Sequence, residues 1–147
     1  MSTAFSAITA ALVAALVQAP ALANGQVSAN RTRPIGQLHT SAVVVRLEGA
    51  DSSEIVIGAL DWTSRYAIEC YGRGAAASDP AEAVDALLQR VWLRLLGVNP
   101  AALGVLSVNL NPAIDWQFDD SDAPYACAVL RLVVQHRTAV ASLAPLN

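Results

Sequence analysis

The sequence predicts an α+β fold in the order helix, strand, strand, helix, strand, strand, with a mainly antiparallel sheet and both helices packed on one of its faces. Three observations carry this reading. The segments at 42–48 and 60–70 alternate apolar and polar residues with the period of half-buried strands. The stretch SDPAEAVDALLQRVWLRLLG has helical spacing and both end signals of a helix. The last third closes on a further alternating run, PYACAVLRLVVQHR.

The first element opens with a question of export. ALVAALVQAPALANG, from Ala11 to Gly25, has the apolar run and the small-x-small step (Ala21-Leu22-Ala23) of a secretory signal. A signal also needs a basic segment ahead of that run, yet the chain has no Lys and its first Arg is Arg31. Phe5, Ile8, Leu12 and Leu16 instead recur at helical steps and make one stripe, which Pro20 ends. The run is also shorter than the roughly 18 apolar residues of a membrane span. It is expected to be a packed first helix.

Residues 24–40 hold Gly25, Pro34 and Gly36 and read as an irregular arm with a short extended piece. In AVVVRLE, Val43, Val45 and Leu47 alternate with Val44, Arg46 and Glu48, a secure strand. GADSSEIVIGA reads as a turn with an edge extension. In LDWTSRYAIECYGR, Leu60, Trp62, Tyr66, Ile68 and Cys70 face one way and Asp61, Thr63, Arg65 and Glu69 the other. Asp79 can then cap a helix with Pro80 at its first position and Glu82 three residues after the cap, while Val84, Leu87, Leu88, Val91 and Leu95 form its buried stripe and Gly97 ends it. Val105–Leu110 and Ile114–Phe118 read as two short strands. Asp119-Asp120-Ser121-Asp122 reads as the hairpin turn before the final strand, and residues 138–147 as a flexible tail. Nothing divides the chain, so residues 1–147 are expected to form one domain.

Composition narrows the functional classes. The formal charge of −3 and the absence of a basic cluster argue against a nucleic-acid partner. A hydrophobic fraction of 54% against 14% charged points either to an unusually apolar core or to apolar surface covered by other chains. Cys70 and Cys127 fit buried free thiols, and no zinc-ligand spacing accompanies them. Ser41, Ser52 and Ser53 lack a GxSxG context, and His39 and His136 lie in a loop and at a strand end, so no nucleophilic enzyme is expected. Asp115, Asp119, Asp120 and Asp122 are dense enough to raise Mg²⁺ or Ca²⁺, but the EF-hand spacing is absent, and a solvated turn is the preferred reading. No cofactor is expected. Trp62, Trp92 and Trp116 stand at strand or helix spacing and read as core or interface. The sheet face away from the helices carries Arg46, Asp61, Arg65, Glu69 and Arg131 among Val44, Tyr71, Val129 and Val133, the mixture of a subunit contact.

RPIGQLHTSAVVVRLEGADSSE, DWTSRYAIECYGRG and DDSDAPYACAVLRLVV, in this order and with the capped helix between the second and third, resemble the tail terminator proteins of long-tailed phages, of the minor tail protein U type of lambdoid phages. Each motif is short, and their order carries the resemblance along nearly the whole chain. It implies a small α/β subunit, assembled in the host cytoplasm and resident in the virion tail. There it forms a hexameric ring that ends polymerisation of the tail tube and joins the head–neck connector. The chain departs from that pattern in its longer carboxyl end, TAVASLAPLN, and in having no Lys. Val44, Arg65, Glu69 and the loop at Asp79 are the candidate subunit contacts, and Arg31, Arg33, Asp119, Asp120 and Asp122 the candidate contacts to the tail tube protein. The rival expectation is an exported binding module released after Ala23.

Overall fold

Amphipathic runs as long as those at 42–48 and 60–70 pair best with one another, and the pairing extends well past the segments that signal it. The computed structural model describes residues 2–18, 20–23, 26–29, 41–73, 79–119 and 125–146. They form α1 (Ala4–Val17), β1 (Val27–Ala29), β2 (Ser41–Val56), β3 (Ala59–Arg73), α2 (Pro80–Leu96), α3 (Pro100–Leu103), β4 (Ser107–Asp119) and β5 (Tyr125–Ala139). The five strands lie in the order β1-β2-β3-β5-β4, antiparallel except for β1 against β2. The fold is α+β, with α1 and α2 on one face of a mostly antiparallel sheet.

The piece at 49–56, expected as a turn with an edge extension at 55–57, is strand throughout: register shifts at Leu47/Gly49 and Ser53/Val56 absorb the irregular residues and carry the hairpin to a turn at Ile57-Gly58, where Gly58 takes φ +84. The two expected strands at 105–110 and 114–118 are one, β4, with a shift between Asn111 and Ile114. Pro112 sits in that shift on an edge strand, where a missing N–H breaks no ladder. The short extended piece expected within the arm is Val27–Ala29, which joins the sheet as β1, and Val43 N donates to Gln26 O at 2.8 Å; residues 24, 25 and 30–40 lie outside the described residues. The expected flexible tail begins too early, because pairing with β3 holds β5 to Ala139 and leaves Thr138 fully buried. Farther on, Ala4 N donates to Leu143 O at 2.7 Å, so part of that tail lies against the start of α1.

Each helix follows from local chemistry. Thr3 caps α1, its hydroxyl oxygen accepting from Ser6 N at 3.2 Å, and Ile8, Leu12 and Leu16 are buried as their spacing requires. The last carbonyls of α1 have no partner in their own helix, and α2 supplies one. Arg94 donates to Leu16 O at 2.9 Å, Gln18 O at 2.8 Å and Pro20 O at 2.6 Å, and Arg90 donates to Ala21 O. Arg94 thus satisfies a carbonyl at the C-terminus of α1 and opposes its dipole, and both guanidinium groups hold the segment that follows. Asp79 caps α2 through Ala81 N at 3.0 Å, and the stripe Val84, Leu87, Leu88, Val91 and Leu95 is buried as expected. At Gly72 the helix comes so close to β3 that a Cβ would stand 2.8 Å from Val84 Cγ2 and 3.0 Å from Val84 N.

One core results, between the helices and Val43, Val45, Tyr66, Ile68, Cys70, Ala128, Leu130, Leu132 and Val134. Tyr66 ties α1 to the sheet by donating from its hydroxyl to Phe5 O at 3.1 Å. Among the described residues no helix is long and apolar enough to cross a membrane.

Two stability tests follow from this packing. Leu12→Asp puts a carboxyl at a position with no exposed surface and should cost about 2–5 kcal/mol. Removing residues 1–23 should lower the thermal midpoint or abolish folding, and an unchanged midpoint would refute the role of α1 in the core. Gly72→Ala should cost about 1–3 kcal/mol by pushing α2 off the sheet, measured by urea unfolding; a neutral result would mean that α2 shifts freely on β3.

Candidate functional site

The sheet face opposite the helices gathers the charged residues that the alternation assigned to it. Among the described residues five ion pairs cross between strands there, four joining neighbours and one spanning β3. Arg46 Nη1 lies 3.2 Å from Glu69 Oε1 and Arg65 Nη1 lies 2.6 Å from Asp51 Oδ2. Arg137 Nη2 and Nε donate to Asp61 at 3.0 and 2.5 Å. Arg131, standing opposite Ala67, reaches over that small residue to Glu48 at 3.3 Å on β2 and also pairs with Asp115 on β4. The Tyr71 hydroxyl donates to Glu69 Oε2 at 2.8 Å. Beneath these groups Ala67, Cys127 and Val129 form a small buried cluster against Tyr71 and Tyr125, with Arg73 over the Tyr125 ring. The long polar side chains act as a cover, their stems on apolar floor and their charges paired outside.

The titrations agree with this geometry. The hydrogen bond from Arg137 holds the Asp61 carboxyl below its ordinary range. Burial, reinforced by Glu69, pushes the Tyr71 hydroxyl up. Burial pushes the Cys127 thiol to about 11, and Cys70 is raised mainly by the same cause, so both stay protonated and weakly nucleophilic. Cys70 pairs with Ala128 and faces the core, while Cys127 pairs with Tyr71 and faces the opposite side, which rules out a bond between them.

Among the expected contact residues, Val44 is corrected: it is 2% exposed, covered within its own subunit, and has no surface to offer. Glu69 is 9% exposed and bonded to both Arg46 and Tyr71. Arg65 and Asp79 are exposed, the first paired with Asp51 and the second serving as a helix cap. Asp119 ends β4. Arg31, Arg33, Asp120 and Asp122 lie outside the described residues, as does His39. The five of these nine residues that are described, Val44, Arg65, Glu69, Asp79 and Asp119, are therefore not brought into one site. For the acidic group, Asp115 is occupied by Arg131, and among the described residues no set of three or more His, Cys, Asp or Glu side chains is placed to hold a metal.

A serine and a histidine do meet. Ser64 Oγ lies 2.8 Å from His136 Nε2, and both residues are buried. Among the described residues His136 Nδ1 has no hydrogen-bond partner, so no carboxylate among them orients the ring, and the ring packs edge-on against Phe5 at 5.2 Å. Among those residues the pair lacks the third member of a triad, and His136 lines a cavity of about 280 Å³ between α1, α3 and the chain's last residues. Trp62, half-buried, packs edge-on to the same Phe5 at 5.0 Å and donates to Thr138 Oγ1 at 2.9 Å, and Trp92 packs on the main core.

Open apolar surface lies elsewhere, on residues that the sequence reading did not single out as contacts. At the hairpin turn Ile55, Val56 and Ile57 are 72%, 50% and 98% exposed. At the other end of the sheet Trp116 and Phe118 stack within 10° of parallel, 39% and 64% exposed. With Ala81, Glu82, Asp85 and Ala86 of α2 they line a groove of about 460 Å³. Three β-branched apolar residues running into a glycine turn were the signal for the first patch. The second has the alternation of an ordinary buried strand, and only the position of α2 leaves it open.

No family model matches the chain, and no curated protein matches it.

His136 supplies a test of this buried pair. Burial lowers its pKa below 6.5, so the unfolded chain takes up a proton at a pH where the folded chain stays neutral. Its neutral form thus favours folding fully above 6.5, and that contribution is lost as the pH falls from there through the lowered folded value. Urea unfolding should give a stability that declines between about pH 7 and pH 5, with a shallower decline in His136→Gln. An equal slope in the variant would show that other groups cause it.

Proposed function

We propose that this protein is a structural subunit of virion assembly: it forms a ring at the end of a phage tail tube, stops the tube's polymerisation, and presents the surface that the head–neck connector joins. The reading rests on the resemblance of the three quoted segments to tail terminators and on one structural observation. The subunit's charged face is paired within itself, while large exposed apolar side chains stand at the ends of the sheet (Ile55, Val56, Ile57, Trp116 and Phe118) and on α2 (Leu93 and Leu96). Such a surface favours directional contacts with other chains. A ring order of six follows from the resemblance alone, as do the tail tube protein and the connector as partners and a place in the virion tail.

Capping in this manner is complementarity spread over many modest contacts. Six subunits held in one ring engage the tube together, so weak individual contacts add to a high avidity. No catalytic turnover, cofactor, metal, nucleic acid or membrane enters this mechanism, and the buried Ser64–His136 pair is consistent with a structural role for both residues.

The test is an infection or induction lacking the protein. Overlong tails that fail to join heads are expected, restored to normal length by the intact chain supplied in trans. Tails of normal length joined to heads would overturn the reading and return the exported module to first place.

A further inference from the structure

We infer that the cavity between α1, α3 and the chain's last residues binds a small neutral molecule that presents one acceptor oxygen to His136 Nδ1. The site is independent of the ring reading above. The side chains of its walls are small or apolar: Ala7 and Ile8 come from α1, Ala101 and Ala102 from α3, and Pro145 and Leu146 from the end of the chain. The volume is about 280 Å³, against roughly 150 Å³ for an apolar cavity that takes up benzene. A ring or a short chain with one polar substituent fits that space.

The class of molecule follows from the hydrogen bonding of His136. The residue is 2% exposed, and Ser64, fully buried, holds Nε2 at 2.8 Å from the β3 side. A hydroxyl has one hydrogen, and that of Ser64 has no other acceptor among the described residues, so it points at Nε2. The neutral ring then carries its own hydrogen on Nδ1, which is buried and has no partner among the described residues. α3 leads into β4, whose approach to β5 begins with Leu106 N donating to Gln135 O at 2.7 Å, so the cavity meets the ring on the side away from Ser64. An unpaired buried donor is costly, and an oxygen placed in the cavity relieves it.

Charge selects against an anion. Burial lowers the His136 pKa, so the ring is uncharged at neutral pH. Arg137 also lines the cavity, but its guanidinium is taken by Asp61 at 2.5 and 3.0 Å. A carboxylate entering here would give up its water without gaining a free cation, whereas a ketone, ester or amide oxygen gives up far less. Nδ1 has almost no surface of its own, so entry requires a wall to move. Pro145 and Leu146 stand outside every helix and strand, Leu146 is 47% exposed, and their segment is tied to α1 through Ala4 N donating to Leu143 O at 2.7 Å. This is the wall that yields.

The experiment titrates the full chain near neutral pH with acetophenone, with α-methylstyrene, which carries a methylene in place of the carbonyl oxygen, and with benzoate. Acetophenone should bind about twofold to tenfold more tightly than α-methylstyrene, the margin of one hydrogen bond. Benzoate should not bind, and the Nδ1–H resonance of His136 should move with acetophenone alone. Ala7→Leu, which narrows the cavity, should remove binding from a chain that is still folded by its thermal midpoint. Binding retained in that folded variant would place the molecule elsewhere and overturn the inference. On the unaltered chain, no binding of acetophenone, equal affinity for the ketone and the hydrocarbon, tighter binding of benzoate, or an unmoved His136 resonance would each overturn it as well, whether or not the variant folds.

Discussion

β3 and β5 pair over fifteen residues, from Ala59 opposite Ala139 to Arg73 opposite Tyr125, without a register shift, and the remaining structure is arranged around that pairing. The neighbouring pairings, β2 with β3 and β4 with β5, both contain irregularities. A slip of one residue in the central pair would turn Arg65, Glu69 and Arg131 toward the helices and Tyr66, Ile68 and Leu130 toward solvent. Burying those charges without partners would cost more than the fold's whole margin of stability. Helix placement depends on the same register, since the main core contains Tyr66, Ile68, Cys70, Leu130 and Leu132 from these two strands. Once both helices share that face, Arg90 and Arg94 can reach from α2 to the exposed carbonyls after α1, and the two helices become one layer.

The opposite face solves a different problem. A five-stranded sheet with helices on only one side leaves its other side to water, yet Ala67, Cys127 and Val129 on that side are nearly as buried as the main core. Their cover is polar. Arg131 pairs with strands on both sides of its own, and Tyr71 and Arg46 converge on Glu69. Exposed pairs of this kind contribute little energy each, so the lattice matters chiefly as shielding and as a further check on register. It also leaves few charged groups on that face unmatched, which moves the opportunity for contact to the ends of the sheet.

Locally encoded features were legible in the sequence. The cap at Asp79, Pro80 and the stripe of α2 all lie within a few turns of one another, as do the alternations of 42–48 and 60–70, and all of them hold. Features that depend on a distant partner were not. Three residues at Val27–Ala29 carry no strand signal of their own and become β1 only beside Val43–Val45. Asn111 and Pro112 look like the end of a strand until β5 supplies a ladder that tolerates the shift. Thr138 reads as the start of a tail because nothing nearby shows that Trp62 hydrogen-bonds it. The candidate site suffered most. Val44 stands at an outward position of its alternation, and its burial depends on side chains from other strands, whereas Trp116 stands at an inward position that α2 does not cover.

A contact between two different patches carries a risk that a self-complementary one avoids. Head-to-tail addition either closes into a ring or grows into a filament, depending only on the angle between successive subunits. On the proposed reading this risk is acute, because a protein that ends the growth of a polymer must not become one. Weak single contacts would oppose open growth on that reading: subunits would stay separate until many contacts form at once, and the end of a tube, which presents several binding positions in fixed geometry, would be a surface on which they can do so.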